Sequence, residues 1–144
     1  MALSEFTTYQ AGVLQARAYR NLREFMVAEL KEYNYTMMEW ALIGLVYDYT
    51  AEGGARVSQL AKLLDVETSL VTNMLNVLEG RELIERIVDE NDRRARRVVS
   101  TRKSEADVKK IEKILRKSMR DWLGDVSPRQ LLGYVRTLQK LANK

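Results

Sequence analysis

Apolar residues open the chain at three- and four-residue spacing: Leu3, Phe6, Val13, Leu14, Leu22, Phe25, Met26, Leu30 and Tyr33. That recurrence predicts one long helix over residues 3–33, with Gly12 the only residue that lowers its propensity. Thr36-Met37-Met38-Glu39 has the spacing of a capping box, in which hydroxyl and carboxylate satisfy each other's free backbone N–H groups. It starts a second helix that runs to about Tyr49, and Glu52-Gly53-Gly54 ends it. The elements then shorten. Ser58–Leu64 reads as a brief helix with Leu60, Leu63 and Leu64 turned inward, and a connection follows at 65–67. From about Thr68 to Glu79, Val71, Met74, Leu75 and Leu78 form an i, i+3, i+4, i+7 stripe. Two short helices joined by a tight connection are the pattern of a helix-turn-helix.

Two Ile- and Val-rich stretches come next, Ile84–Val88 and Arg96–Ser100, separated by the charged segment 89–95. They predict a β-hairpin with a long, basic tip. Thr101 is placed to cap a helix over 102–123, whose Val108, Ile111, Leu115, Met119 and Trp122 share a face. Ser127-Pro128-Arg129-Gln130 joins a capping box to Pro at the first helical position and starts the last helix, to about Leu141. The predicted fold is mainly α with a small β-hairpin wing, a winged helix-turn-helix over 36–101 within a single domain spanning 1–144.

Composition supports this class. One Pro and seven Gly in 144 residues are too few for the turns of a sandwich or barrel. Cys and His are both absent. Disulfides, thiol switches, thiolate or imidazole zinc sites and every Ser–His or Cys–His catalytic arrangement are therefore excluded. There is no Gly-rich phosphate loop, so we expect no enzyme, no cofactor and no metal site. The net charge of +4 is unevenly spread: residues 93–120 carry +9 and the remainder −5. Such asymmetry points to an anionic partner. The longest apolar run, Trp40–Tyr47, has eight residues, far short of the roughly 20 that span a bilayer. With no apolar leader visible near Glu5, the expected compartment is the cytoplasm.

Opposite the apolar stripe of the 68–79 helix lie Ser69, Thr72, Asn73 and Asn76, with Thr68 at its start. A solvated face usually carries Lys and Glu, which form helix more readily. Short hydrogen-bonding side chains instead suit a helix in the DNA major groove, where Asn pairs with adenine N6 and N7. An ordinary polar surface is the competing reading. The hairpin tip, Asp92-Arg93-Arg94-Ala95-Arg96-Arg97, holds four arginines in five positions. Guanidinium groups favour the narrow, negative minor groove of A·T-rich DNA. The alternative is pairing with Glu82, Glu85, Asp89, Glu90 and Asp92, which cannot all reach the tip.

In this order the segments Ser58-Gln-Leu-Ala-Lys-Leu-Leu-Asp-Val66, Ser69-Leu-Val-Thr72, Leu78-Glu-Gly-Arg81, Leu83-Ile-Glu-Arg86 and Asp92-Arg93-Arg94 resemble the MarR (multiple antibiotic resistance regulator) family of winged-helix transcription regulators. The resemblance implies a homodimer held by helices from 1–34 and 102–144. It also implies double-stranded DNA as partner and a repressor released by a small effector. DNA-binding positions would be Ser58, Thr68, Ser69, Thr72, Asn73, Asn76, Arg93, Arg94 and Arg96, with Arg94 in the minor groove and Asp92 orienting the wing arginines. Tyr19, Arg20, Met37, Trp40 and Tyr47 are candidates for the effector pocket, or simply core. Three positions depart from the family: Asn73 stands where many members have Arg, Glu82 where Arg-Gly-Leu is usual, and Ser104 where Gly is frequent. The Glu82 departure moves the expected end of the preceding helix back to Gly80. Two other classes compete: a winged helix that binds an acidic protein, and a peripheral membrane protein whose basic 102–120 helix lies on anionic lipid.

Overall fold

The computed structural model describes residues 2–144, apart from the Leu3 side chain, so Met1 of the expected 1–34 segment lies outside the described residues. Its helices are α1 (Thr8–Lys31), α2 (Met37–Thr50), α3 (Val57–Leu64), α4 (Thr68–Gly80), α5 (Arg102–Leu123) and α6 (Pro128–Ala142). Its strands are β1 (Ala55–Arg56), β2 (Ile84–Val88) and β3 (Arg96–Ser100). The described residues form two compact units, one reaching to Lys109 and the other Lys110–Lys144.

Helix starts follow the expected chemistry. Thr36 accepts from the Glu39 N–H at 3.1 Å while the Glu39 carboxylate accepts from the Thr36 N–H, and Ser127 and Gln130 make the same reciprocal pair. A third box was not anticipated. Thr7 and Gln10 cap α1, so the first long helix begins at Thr8 rather than Leu3, and Leu3–Glu5 forms a separate 3-10 turn. Thr101 caps α5 by accepting from the Ser104 N–H at 3.2 Å.

Helix ends are less conventional. After α4 the Leu83 N–H donates to Leu78 O and the Glu82 N–H to Glu79 O, a Schellman closure with Glu82 in the left-handed region at φ 60°. Asn34 closes α1 and Asp65 closes α3 in the same way, at φ 59° and 55°. The expected helix end at Gly80 is where α4 stops, but the strained position is Glu82. The Gly53-Gly54 break has a sharper cause. At Gly54, φ 97°, a Cβ atom would lie 2.7 Å from Val98 O and 2.8 Å from Val99 Cγ1.

The hairpin is one strand larger than expected. β3 pairs antiparallel with β2, Val88 opposite Arg96, and also with β1, Ala55 opposite Val98. A two-residue strand is too short to leave an alternation in sequence. Thr50 braces this sheet against α2, its hydroxyl donating to Val46 O and accepting from the Ser100 N–H.

Within the first unit, Leu30, Leu42, Val46, Leu60, Val71, Leu75, Leu78 and Val98 are completely buried. The α4 stripe points inward as predicted, with Met74 half-buried. Leu63 corrects an expectation: it stays 49% exposed, because the inward turn of α3 is met by Leu60 and Ala61. On α5, Val108, Ile111 and Leu115 are buried and Met119 half-buried, while Trp122 remains exposed. No residue of α6 is buried.

Candidate nucleic-acid interface

The face of α4 opposite its core stripe is open: Thr68, Ser69, Thr72, Asn73 and Asn76 are all exposed, as is Ser58 in the first turn of α3. These two helices differ from the others at their starts. α1, α2 and α6 have capping boxes, whereas α3 and α4 begin at Arg56 and Glu67 with no side-chain cap. No capping side chain covers their first-turn N–H groups, of which the Leu70 N–H donates to Glu67 O at 3.1 Å. Two members of the exposed stripe are already engaged. The Thr72 hydroxyl donates to Thr68 O at 3.0 Å, and Asn76 Oδ1 accepts from Arg86 Nη2 at 2.9 Å.

The wing is built on two aspartates. Asp92 Oδ1 accepts from the Arg94 N–H at 3.0 Å, and Asp89 Oδ1 from the Asn91 N–H at 2.9 Å. Asp92 thus sets the main chain of the tip, rather than binding a guanidinium. Arg93, Arg94 and Arg96 are exposed. Arg97 is not part of that free charge. Its Nε lies 3.0 Å from Asp89 Oδ2 and its Nη1 donates to Gly54 O at 2.8 Å.

Arg56 completes the arrangement, placing Nε and Nη2 at 3.0 and 2.8 Å from the same carboxylate oxygen. Asp89 is 1% exposed. The Asn91 N–H, first, and then the two arginines hold its carboxyl at about 2 against an ordinary 3.8, outweighing the burial that opposes its charge. Sequence reasoning placed Asp89 among possible partners of the arginines but missed Arg56, thirty-three positions away, which no local pattern connects to it.

A separate cleft of about 900 Å³ lies between α1, the start of α2 and the ends of α3 and α4. Of the five effector-pocket candidates, Tyr19 and Met37 line this cleft, and Arg20, Trp40 and Tyr47 do not. The lining stripe of α1 is Tyr19, Arg23, Val27 and Lys31, at i, i+4, i+8 and i+12, which turns Arg20 aside. Trp40 packs on Tyr35 with ring centroids 5.5 Å apart, and Tyr47 stands about 15 Å along α2 from Met37. The stripe was readable from spacing alone. Arg81, at the end of α4, reaches the cleft from the other side: it stands 4.8 Å from the Tyr35 ring centre and 3.5 Å from Glu39 Oε2. Burial, and then the charge of Asp107, raise the Tyr35 phenol above its usual value, so Arg81 sits over a neutral ring.

Among the described residues no group of three or more acidic, Cys or His side chains is placed to hold a metal, and no helix is long and apolar enough to cross a membrane. Residues 39–95 match the sequence model of the MarR family. Over that segment, about two-fifths of its length, the chain is similar to the MarR family. MarR-family proteins are transcriptional regulators rather than enzymes.

Solved structures agree in fold over almost the whole chain. The transcriptional repressor CouR bound to a 23-mer DNA duplex is 22% identical, with 99% of this chain and 95% of that one covered at a TM-score of 0.78. The S. aureus MepR–DNA complex is 21% identical, with 96% and 98% covered at 0.75. Bordetella bronchiseptica BpsR, whose DNA binding is regulated by 6-hydroxynicotinic acid, is 19% identical, with 100% and 98% covered at 0.77.

Proposed function

We propose that this chain is a cytoplasmic, sequence-specific DNA-binding repressor of the MarR family that acts as a homodimer on a pseudo-palindromic operator. In this reading α4 lies in the major groove and Arg94 enters the minor groove. The observation that carries it is the pairing of an uncharged polar face on α4 with a wing whose tip arginines, Arg93, Arg94 and Arg96, pair with no carboxylate among the described residues while Arg97 is tied down. Filler arginines would be neutralised at random; here the carboxylates shape the wing and leave the tip charged. The uncapped starts of α3 and α4 suit phosphate oxygens. Ser58, Thr68 and Ser69 stand at or beside those starts.

Dimerisation is supported by apolar residues on the terminal helices. Tyr9, Val13 and Leu14 on α1 and Leu132, Val135 and Leu141 on α6 are 41–73% exposed in the single chain. Solvated apolar faces of this kind mark interfaces. Two-fold symmetry then places half-sites about 10 bp apart or a multiple of it, and the Asn-bearing helix with an Arg-bearing wing favours A·T-rich DNA. The cleft beside α4 supports a small effector: Arg23, Lys31 and Arg81 line it with Tyr19 and Tyr35, a setting for an anionic aromatic molecule. Such a ligand competes with Glu39 for Arg81 and so acts on the end of α4.

The deciding experiment is a fluorescence-anisotropy titration against DNA flanking the chain's own gene at two salt concentrations. Specific binding appears as affinity well above that for scrambled duplex, steeply weakened by salt. Equal affinity for both duplexes, or none, overturns the reading.

A further inference from the structure

The exposed stripe of α4 carries two asparagines, and their surroundings differ. Asn76 faces Arg86 at 2.9 Å, and Arg86 is braced in turn by Glu79 Oε2 at 2.7 Å and by its place in β2 opposite the buried Val98. A guanidinium offers donors only, so the Asn76 atom that meets it is the carbonyl oxygen. Among the described residues the amide nitrogen makes no hydrogen bond. Asn73, one turn earlier on the same face, makes no side-chain hydrogen bond among the described residues and is exposed, so both ends of its amide are open.

We propose that the two amides divide the reading of DNA: Asn73 selects adenine, and Asn76, locked by Arg86, is a contact that only donates. Selection of adenine requires a carbonyl accepting from N6 together with an amide donating to N7. Asn76 has the second half alone. N7 is common to both purines and phosphate oxygens also accept, so Asn76 adds affinity with little choice of base. This inference rests on the DNA-binding reading above.

The test is selection of sites from a randomised duplex pool by the full-length protein and its N73A, N76A, R86M and R86K variants, followed by titration of the winners. The wild type enriches adenine at a position in each half-site, and N73A lowers that preference by roughly ten- to a hundredfold. N76A weakens selected and scrambled duplexes alike, by roughly three- to tenfold, and keeps the preference. R86M frees the Asn76 carbonyl and creates a second adenine position, whereas R86K retains a donor and does not. If R86M fails to fold, N73A and N76A still decide. The proposal is overturned if N76A erases an adenine preference or leaves every affinity unchanged. A wild type that enriches nothing overturns the DNA-binding reading itself, and this inference with it.

Discussion

Glu82 is where a single residue departs furthest from what its place asks. The Schellman closure of α4 puts it at φ 60°, a conformation that costs a residue with a Cβ about 1–2 kcal/mol. Glu82→Gly relieves that strain but loosens the unfolded chain, by about 0.4–1 kcal/mol. The expected net gain is about 0.5–1 kcal/mol, read as a higher urea midpoint at fixed protein concentration with an unchanged slope. The departure itself was visible in sequence, because Glu82 interrupts an Arg-Gly-Leu pattern. The left-handed turns at Asn34 and Asp65 were not, since neither residue is bound to adopt one. Asp89 sets a second expectation. Its carboxyl titrates lower folded than unfolded, so its contribution is complete above about 4 and is lost as the pH falls from there toward 2. Protection of the 89–97 amides, measured relative to their intrinsic exchange rates at each pH, is expected to fall across that interval, and Asp89→Asn to be weakly protected throughout; constant protection in the unmutated chain rules the linkage out.

At the level of elements, periodicity located α1, α3, α4 and α5, because burial on one side imposes the repeat that pattern reading detects; capping boxes marked α2 and α6, and Ile and Val content marked the hairpin strands. Periodicity failed where burial is shared differently. Leu63 has the right spacing to point inward yet lines the open cleft, and β1 has two residues, too few for any period. The wing's charge was legible as four arginines, but which of them is free depends on Arg56 and Gly54, brought in by the third strand. This division predicts different behaviour for neighbouring residues. Arg94→Ala removes roughly one phosphate contact per protomer, lowering the slope of log affinity against log salt by about 1 each while leaving thermal stability alone. Arg97→Ala strips a partner from a buried carboxylate and lowers the melting temperature as well. Identical effects from the two variants would contradict the assigned roles.

For the whole molecule, the sequence displayed apolar faces on both terminal segments but not what covers them. The single chain leaves α6 with no buried residue. A charge set into these faces is expected to break the assembly: Val13→Glu and Leu132→Glu each shift sedimentation toward the monomer. Loss of the second half-site then weakens operator binding by roughly a hundredfold or more. If either variant remains dimeric with full DNA affinity, that face lies outside the interface.

Gly54 carries a consequence for genetics. Its bare α-carbon admits β3, and its carbonyl oxygen receives Arg97. A screen for chains that have lost their operator is therefore expected to recover substitutions at this position, well outside the reading helix. Those alleles would resemble deletions of the wing while retaining every side chain proposed to meet the duplex.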